Sequence, residues 1–362
     1  MNQLDGLARQ VIPEDRPVLG RDAEAMRYKL NLTVGEMRFA LGLAIQHWTA
    51  KVRDEENVPI RNVTIALILR YLDKHPENCP ILPAPDMKKI HGKTGWSNQA
   101  FSLALGCHST AAVRWLAGDT NPSQPVNRLA RHLEYEADRD NLAYWTGLVL
   151  QEAKVRGLGN IFEGHDTWTP SEDDRESGGF DWESRPVIGD DLEMLRQKLG
   201  LSVEEMRYTL GMTMPMWGKS INKQGRKPVS PTVALLCRYL SDNPERCPID
   251  KAPSVDELME LTGLGVYQIG IVLGKQMVSG RRWENSQSRF SPAVTRLAVH
   301  LAREARDGNF QEWIRMVEME ARLRGIDDIW KAKSWTTKAA PGVGEGSSAA
   351  SDGDASPGAS RE

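Results

Sequence analysis

The chain repeats itself, and the stretch that decides its fold occurs twice, as NLTVGEMRFALG at residues 31–42 and as GLSVEEMRYTLG at residues 200–211. Each copy carries a hydroxyl residue three positions before a glutamate, which is the capping box that starts a helix. Apolar residues follow at helical spacing, and each copy ends on a glycine, where a tight turn favours a residue without Cβ. Each copy therefore predicts a short helix followed by a sharp turn.

The repeat extends well beyond this stretch. RPVLG at 16–20 recurs as RPVIG at 185–189, and TIALILRYLDKHPENCP at 64–80 recurs as TVALLCRYLSDNPERCP at 232–248. The offset is 169 residues at first and 168 later, because one residue is lost between the third and the fourth helix. A match of this length predicts that residues 16–162 and 185–330 share one fold.

Helical periodicity continues through each half, and no part of the chain shows convincing β-type alternation. We predict an all-α protein with two homologous helical domains, each with two similar units. The predicted boundaries are an N-terminal extension at 1–15, units at about 22–80 and 86–157 in the first domain, an acidic linker at 163–184, units at about 190–248 and 254–325 in the second domain, and a disordered tail at 331–362.

Composition places the chain among ordinary globular proteins, with 40% hydrophobic and 26% charged residues. No apolar run is long enough for a membrane span, and the N-terminus lacks a secretory pattern. The four cysteines form no CxxC, and the histidines lack metal-ligand spacing, so we expect buried thiols in a reducing cytosol, without metal or cofactor. No catalytic constellation recurs in both halves, so we do not expect an enzyme.

The formal net charge of −3 is unevenly distributed. Residues 163–184 carry eight acids and one arginine, and residues 339–362 carry four acids and one arginine, which leaves +7 on the rest. The predicted folded part is thus mildly basic. Because local sign matters more than global charge, this is compatible with nucleic-acid binding without requiring it.

The repeated pattern resembles the Cro/C1-type, lambda-repressor-like helix-turn-helix family. The segment LGLSVEEMRYTLG at 199–211 is similar to the first part of that motif. The segment LGCHSTAAVRWLAG at 105–118, followed by Asn121-Pro122 and by Arg128-Leu-Ala, is similar to its second part. Four such units of 55–60 residues cover most of the chain outside the linker and the tail.

The resemblance implies that the third helix of each unit lies in the major groove of DNA, with its first turn and one residue a turn later facing the bases. Carried over by position, this predicts DNA contacts by Ser109, Thr110 and Arg114 in the second unit, and by Gln276, Met277, Ser279, Arg281 and Arg282 in the fourth unit. Arginine pairs well with guanine, whereas Ser, Thr and Gln suit phosphates or base edges.

The first and third units depart from the pattern, since their third helices carry apolar residues at positions where a helix that contacts bases would carry polar ones. Trp48 and Trp217 stand where the family places a buried aliphatic residue, which favours a core role. Either these helices have become packing or partner surfaces, or they read thymine methyl groups. In the second case Gln46, Lys219, Lys223, Arg226 and Lys227 add polar and basic contacts.

We therefore expect a sequence-specific regulator of transcription that binds double-stranded DNA, located in the cytoplasm at the nucleoid. An architecture of this size, without a ligand-binding domain, suggests a regulator of a mobile genetic element or phage. It would act as a single-chain pseudo-dimer or as a homodimer, and RNA polymerase or another regulator is a further candidate partner. The alternative is a protein-interaction or assembly module, such as an antirepressor or a subunit of a DNA-processing complex, that reuses the helix-turn-helix fold.

Overall fold

The structure is a computed structural model, and it describes residues 10–43, 48–49, 52, 55–81, 84–169, 184–222 and 227–336. These residues are helical and contain no β-strand, as the sequence predicted. The first half contains α1 (Gly20–Lys29), α2 (Val34–Leu41), α3 (Val63–Lys74), α4 (Met87–Thr94), α5 (Asn98–Ala104), α6 (Ala111–Ala117), α7 (Gln124–Ala137) and α8 (Leu142–Val155). The second half contains α9 (Gly189–Leu199), α10 (Val203–Leu210), α11 (Met214–Asn222), α12 (Pro231–Asp242), α13 (Val255–Thr262), α14 (Val266–Val272), α15 (Met277–Glu284), α16 (Pro292–Arg306), α17 (Phe310–Leu323) and α18 (Ile329–Ala332).

Local signals in the sequence account for the helix ends. The hydroxyl of Thr33 accepts a hydrogen bond from the amide of Glu36, whose carboxylate accepts from the amide of Thr33 in return. Ser202 and Glu205 form the same capping box at the start of α10. Gly42 ends α2 in the left-handed region at φ +64°, where a side chain would be strained. The predicted capping boxes and the predicted turn are therefore confirmed.

Helices of the two halves pack into each other. In the first unit α3 packs against α16 and α17 of the fourth unit, and in the third unit α12 packs against α7 and α8 of the second. Every residue of α3 from Val63 to Asp73 is buried. A helix buried all round needs partners on every side, and the other half supplies them. The buried side chains form one cluster that draws on both halves, rather than the two separate cores we expected.

Glycines bring the paired units of the first and fourth repeat into close contact. A Cβ on Gly42, after α2, would lie 2.3 Å from the amide nitrogen of Ala293 at the start of α16. Reciprocally, a Cβ on Gly274, after α14, would lie 2.6 Å from the amide nitrogen of Thr64 at the start of α3. The Thr64 hydroxyl donates a 2.8 Å hydrogen bond to the carbonyl of Leu273. Each glycine turn thus contacts the first residues of a helix in the other unit, α16 for Gly42 and α3 for Gly274.

The second and third units are paired in the same way. A Cβ on Gly106 would meet the amide nitrogen of Thr232 at 2.4 Å, and one on Gly211 would meet the backbone at Gln124 and Pro125 at 2.5 Å. The Thr232 hydroxyl donates to the carbonyl of Leu105 at 2.9 Å. The same docking contact therefore occurs four times, once at the turn of each unit.

A buried glutamate between two arginines joins the halves at each pairing. The Nε of Arg70 donates to one carboxylate oxygen of Glu320 at 2.5 Å, and the Nε of Arg324 donates to the other at 2.8 Å. Arg70 is 2% exposed and Glu320 is fully buried. Arg70 also donates to the carbonyl of Arg16 at 2.7 Å. The second pairing has the same arrangement, with Arg238, Glu152 and Arg156 in these places.

Equivalent residues meet where the two pairs of units touch. Phe39 and Tyr208, which occupy the same position in the repeat, stack with ring centroids 4.2 Å apart. The guanidinium of Arg296 lies 4.4 Å from the Phe39 ring, and that of Arg128 lies 4.1 Å from the Tyr208 ring. Contact between equivalent residues is the mark of a twofold relation, so this four-member stack marks a twofold-like axis between the halves.

Two histidines of the repeat, His132 and His300, pack on tyrosines of the opposite half. His300 is buried, and its ring lies 4.6 Å from that of Tyr71, whose hydroxyl donates to Glu304 at 2.7 Å. The ring of His132 contacts Tyr239 in the same way. Burial lowers the pKa of His300 to about 3 and that of His132 to about 4. Both are thus neutral packing groups at pH 7.

This burial makes stability depend on pH. Because the pKa of each histidine is lower in the folded chain than its unfolded value near 6.5, the unfolded chain takes up protons first as the pH falls. We therefore expect the free energy of unfolding to decrease below about pH 6.5, by up to about 1.4 kcal/mol per pH unit and histidine. Urea denaturation at pH 7, 6 and 5 should give a shallower decrease for His300→Gln than for the original chain. The exposed His108→Gln controls for the loss of one imidazole, and equal slopes for the original chain and His300→Gln would contradict the prediction.

The ordered part of each half ends later than predicted. Trp168, which we assigned to the linker, is 6% exposed and its indole donates to the carbonyl of Leu103 at 3.2 Å. Trp335, which we assigned to the tail, donates to the carbonyl of Ile271 at 3.1 Å. Both segments dock because each tryptophan finds a carbonyl partner at the end of a second helix. The rest of the predicted linker and tail, 170–183 and 337–362, lies outside the described residues.

Candidate nucleic-acid interface

The second and fourth units have small residues where their second and third helices cross. In the second unit the hydroxyl of Ser102 accepts a 2.8 Å hydrogen bond from the amide of Ala112. In the fourth unit a Cβ on Gly280 would overlap the carbonyl oxygen of Val266, and a Cβ on Gly270 would lie 2.6 Å from the carbonyl oxygen of Gln276. The close crossing holds α6 and α15 firmly on the helices behind them.

The first and third units are built differently at this crossing. Trp48 is 5% exposed and Trp217 is 6% exposed, so both belong to the core, as we predicted from their position. The position that is Ser102 or Gly270 in the other units holds the half-buried Arg38 or Arg207. An arginine at this position leaves less room for a crossing helix than the serine or glycine of the second and fourth units. Within the described residues, the first and third units thus differ from the second and fourth at this position of the second helix.

The second unit presents two of its three predicted contact residues to solvent. Thr110 and Arg114 are exposed, with Val113 between them at 50% exposure. Ser109 is 6% exposed, and its hydroxyl donates to a carboxylate oxygen of Asp166 at 2.7 Å. The amide of Ser109 also donates to the carbonyl of Asp166 at 2.9 Å. Ser109 is therefore not available to DNA in this structure, because the segment after α8 covers it.

The fourth unit presents the more basic surface. Gln276, Arg281 and Arg282 are exposed, whereas Met277 and Ser279 are half-buried. Arg281 donates to the hydroxyl of Tyr267 at 2.8 Å, which joins the third helix to the start of the second. Met277 packs against the hydrophobic core, so it supports α15.

Arg114 and Arg282 occupy equivalent positions in the repeat and are both exposed. In the part of the chain that the structure describes, neither guanidinium group forms a hydrogen bond or ion pair. A charged side chain that is held on a firmly packed helix and lacks an internal partner is free to bind an external anion or base.

The third unit combines basic and apolar exposure. Lys219 and Lys227 are exposed, as the DNA-binding interpretation requires. Met214 is 56% exposed and Met216 is 42% exposed on the same helix, so this third helix has an apolar outer face. Gln46, Lys223 and Arg226, the remaining predicted contacts, lie outside the described residues.

Two exposed groups beside the arginines were not among the predicted contacts. Val113 is 50% exposed and Val278 is 47% exposed on the third helices of the second and fourth units. An exposed valine on such a helix suits the methyl group of thymine. In the sequence, each valine lies outside the apolar face that periodicity predicts to be buried. Periodicity alone did not distinguish these valines from the core residues nearby.

Other site chemistries find little support. The described residues contain no cluster of histidine, cysteine, aspartate or glutamate suited to a metal ion. The four cysteines are free, and burial raises the pKa of Cys79 to about 12 and that of Cys107 to about 11. Among the helices described, none has the length and apolar character needed to cross a membrane.

Comparisons of the chain with protein-family models, with curated proteins and with solved structures found no match. The resemblance to Cro/C1-type helix-turn-helix units therefore rests on the motifs of this sequence alone.

Proposed function

We propose that the chain is a sequence-specific regulator of transcription that binds double-stranded DNA through the third helices of its second and fourth units. The observation that carries the proposal is the matched pair Arg114 and Arg282. Both are exposed, both stand on closely packed short helices, and neither has an internal partner within the described residues. Arginine is the side chain that pairs with guanine in two hydrogen bonds.

The twofold-like relation at the Phe39–Tyr208 stack predicts the form of the DNA site. Readers related by a twofold axis face opposite directions along the duplex, so we expect an inverted arrangement of half-sites about one helical turn, roughly 34 Å, or a multiple apart. The two half-sites should differ in sequence, because the second unit presents Thr110 and Val113 where the fourth presents Val278 and Arg281.

Substitution of the two arginines tests this proposal. Duplexes are first selected from a random pool with the full chain, and affinities are then measured at fixed salt. We expect Arg114→Ala and Arg282→Ala each to weaken binding by about 1–3 kcal/mol and to relax preference in one half-site only. The control is Arg315→Ala, which removes the same charge from an exposed position on α17. If both variants match this control, the assignment of the readers is wrong.

A second candidate function, a protein-interaction or assembly module, is favoured by the apolar outer face of α11. Met214 and Met216 are the kind of exposed flexible apolar side chains that protein partners cover. Binding to duplex DNA at two salt concentrations separates the candidates, because phosphate contacts give a steep salt dependence. Absence of duplex binding at low salt would favour the interaction module, and the two functions are compatible if α11 contacts RNA polymerase.

A further inference from the structure

The segment that follows α8, residues 163–169, lies over the start of the third helix (α6) of the second unit, where the predicted DNA contacts begin. Asp166 accepts two hydrogen bonds from Ser109, at 2.7 Å from the hydroxyl and at 2.9 Å from the backbone amide. Beside it, the side-chain amide of Gln99 donates to the carbonyl of His165 at 3.2 Å. The buried indole of Trp168, bonded to Leu103, anchors the segment on the second helix.

These contacts occupy Ser109, which the sequence analysis predicted to contact DNA, and the neighbouring Gln99. Ser109 lies just before the third helix, and Gln99 lies in the first turn of the second helix. Side-chain hydroxyls, amides and backbone N–H groups at such helix starts are common donors to phosphate oxygens. The Asp166 carboxylate offers the Ser109 hydroxyl an anionic oxygen in place of a phosphate, whereas the backbone carbonyls of Asp166 and His165 accept from the Ser109 amide and from Gln99.

Within the described residues, the fourth unit lacks this cover although it has the same anchor. Trp335 docks on Ile271 as Trp168 docks on Leu103. The residues before it are Lys333 and Ser334, where the second unit has Asp166 and Thr167. No hydrogen bond joins residues 331–336 to Met277, the counterpart of Ser109, in the described part of the chain. The two readers therefore differ in access even though their anchors correspond.

We propose that residues 163–169 act as a built-in competitor of DNA, so that the fourth unit binds first and the second unit binds only when Asp166 leaves Ser109. The proposal rests on the proposed function and adds regulation to the same site. The second unit then binds its DNA half-site more weakly than the fourth unit does. Its binding depends on the position of residues 163–169.

Substitution of Asp166 in the full chain tests the competitor. We expect Asp166→Ala to tighten binding to a two-half-site duplex by about tenfold, since a hydrogen bond to a charged group must otherwise be broken. The gain should vanish on a duplex in which the half-site of the second unit is scrambled. Asp166→Asn, which keeps an accepting oxygen but loses the charge, should give a smaller gain and serves if the alanine variant has a lowered melting temperature.

The matched control is Glu163→Ala. Glu163 is an exposed acid of the same segment and accepts from Asn160, so its loss changes the charge without freeing Ser109. A tenfold gain with this control would show a general charge effect and overturn the proposal. Unchanged or weaker binding by Asp166→Ala, while the original chain binds its selected duplex, would overturn it as well and leave the proposed function intact.

A readout that needs no variant is hydrogen exchange of the full chain. We expect exchange within residues 163–169 to speed up when a two-half-site duplex is added, because the segment leaves the second unit. Exchange that stays equal or slows, with DNA bound, would mean that the segment remains docked and would contradict the proposal. If no duplex binds at any salt concentration, the proposed function fails, and the competitor fails with it.

Discussion

Replacing Glu320 with glutamine is expected to lower the free energy of unfolding by about 3–5 kcal/mol. The carboxylate lies between the guanidinium groups of Arg70 and Arg324, and all three groups are largely or fully removed from solvent. Glutamine retains the volume but removes the negative charge, which leaves two buried cations without a counter-charge. The loss reflects that uncompensated burial, rather than the intrinsic strength of the ion pair.

Chemical denaturation followed by circular dichroism measures the effect. Glu257→Gln is a suitable control, because Glu257 pairs with the exposed Arg306 and such surface pairs contribute about 0–1 kcal/mol. Glu152→Gln provides an independent repeat, since Glu152 joins Arg238 and Arg156 at the other pairing of units. A loss below about 1 kcal/mol for both glutamates would show that the halves do not depend on these buried groups.

The second large effect is expected at a glycine turn. Gly274 has φ +71°, and a Cβ there would lie 2.6 Å from the amide nitrogen of Thr64 in the other half. Alanine must therefore adopt a left-handed backbone and also push apart two units whose contact is made by backbone atoms. Left-handed strain costs about 1–2 kcal/mol and overpacking typically adds about 1–3 kcal/mol, so we expect Gly274→Ala to cost about 2–5 kcal/mol.

Gly263 allows the two contributions to be separated. It also has φ +71°, and no atom lies within 4 Å of the position its Cβ would take. Gly263→Ala should therefore lose only the backbone contribution, about 1–2 kcal/mol. The difference between the two variants in a denaturation experiment measures the docking of the fourth unit on the first. Equal losses would mean that the turn does not press against Thr64.

The fold and part of the candidate site could be predicted from local patterns. The capping boxes at Thr33 and Ser202 and the turns at Gly42 and Gly211 depend on neighbours within a few residues, so their positions follow from the order of residues. The burial of Trp48 and Trp217 agrees with the resemblance, in which a buried residue occupies their position. The resemblance also gave the positions of Arg114 and Arg282, and both are exposed.

The covering of Ser109 could not be predicted in this way. Ser109 and Asp166 are 57 positions apart, and nothing in either neighbourhood indicates the hydrogen bond between them. The half-burial of Met277 and Ser279 is similarly a matter of how α15 rests on the core, which the composition of the helix leaves open. Tertiary structure therefore divided the predicted contacts into accessible and inaccessible ones.

By itself the sequence determined the helices, their ends, the repeat and the residues that must avoid water, because each of these depends on short-range hydrogen bonding or on periodicity. Only the tertiary structure decided that the first unit pairs with the fourth and the second with the third. The apolar character of α3 and α12 specifies that these helices must be buried, but not which surfaces bury them. The pairing of the units is determined by contacts between residues far apart in the chain, such as that of Arg70 with Glu320, 250 positions apart.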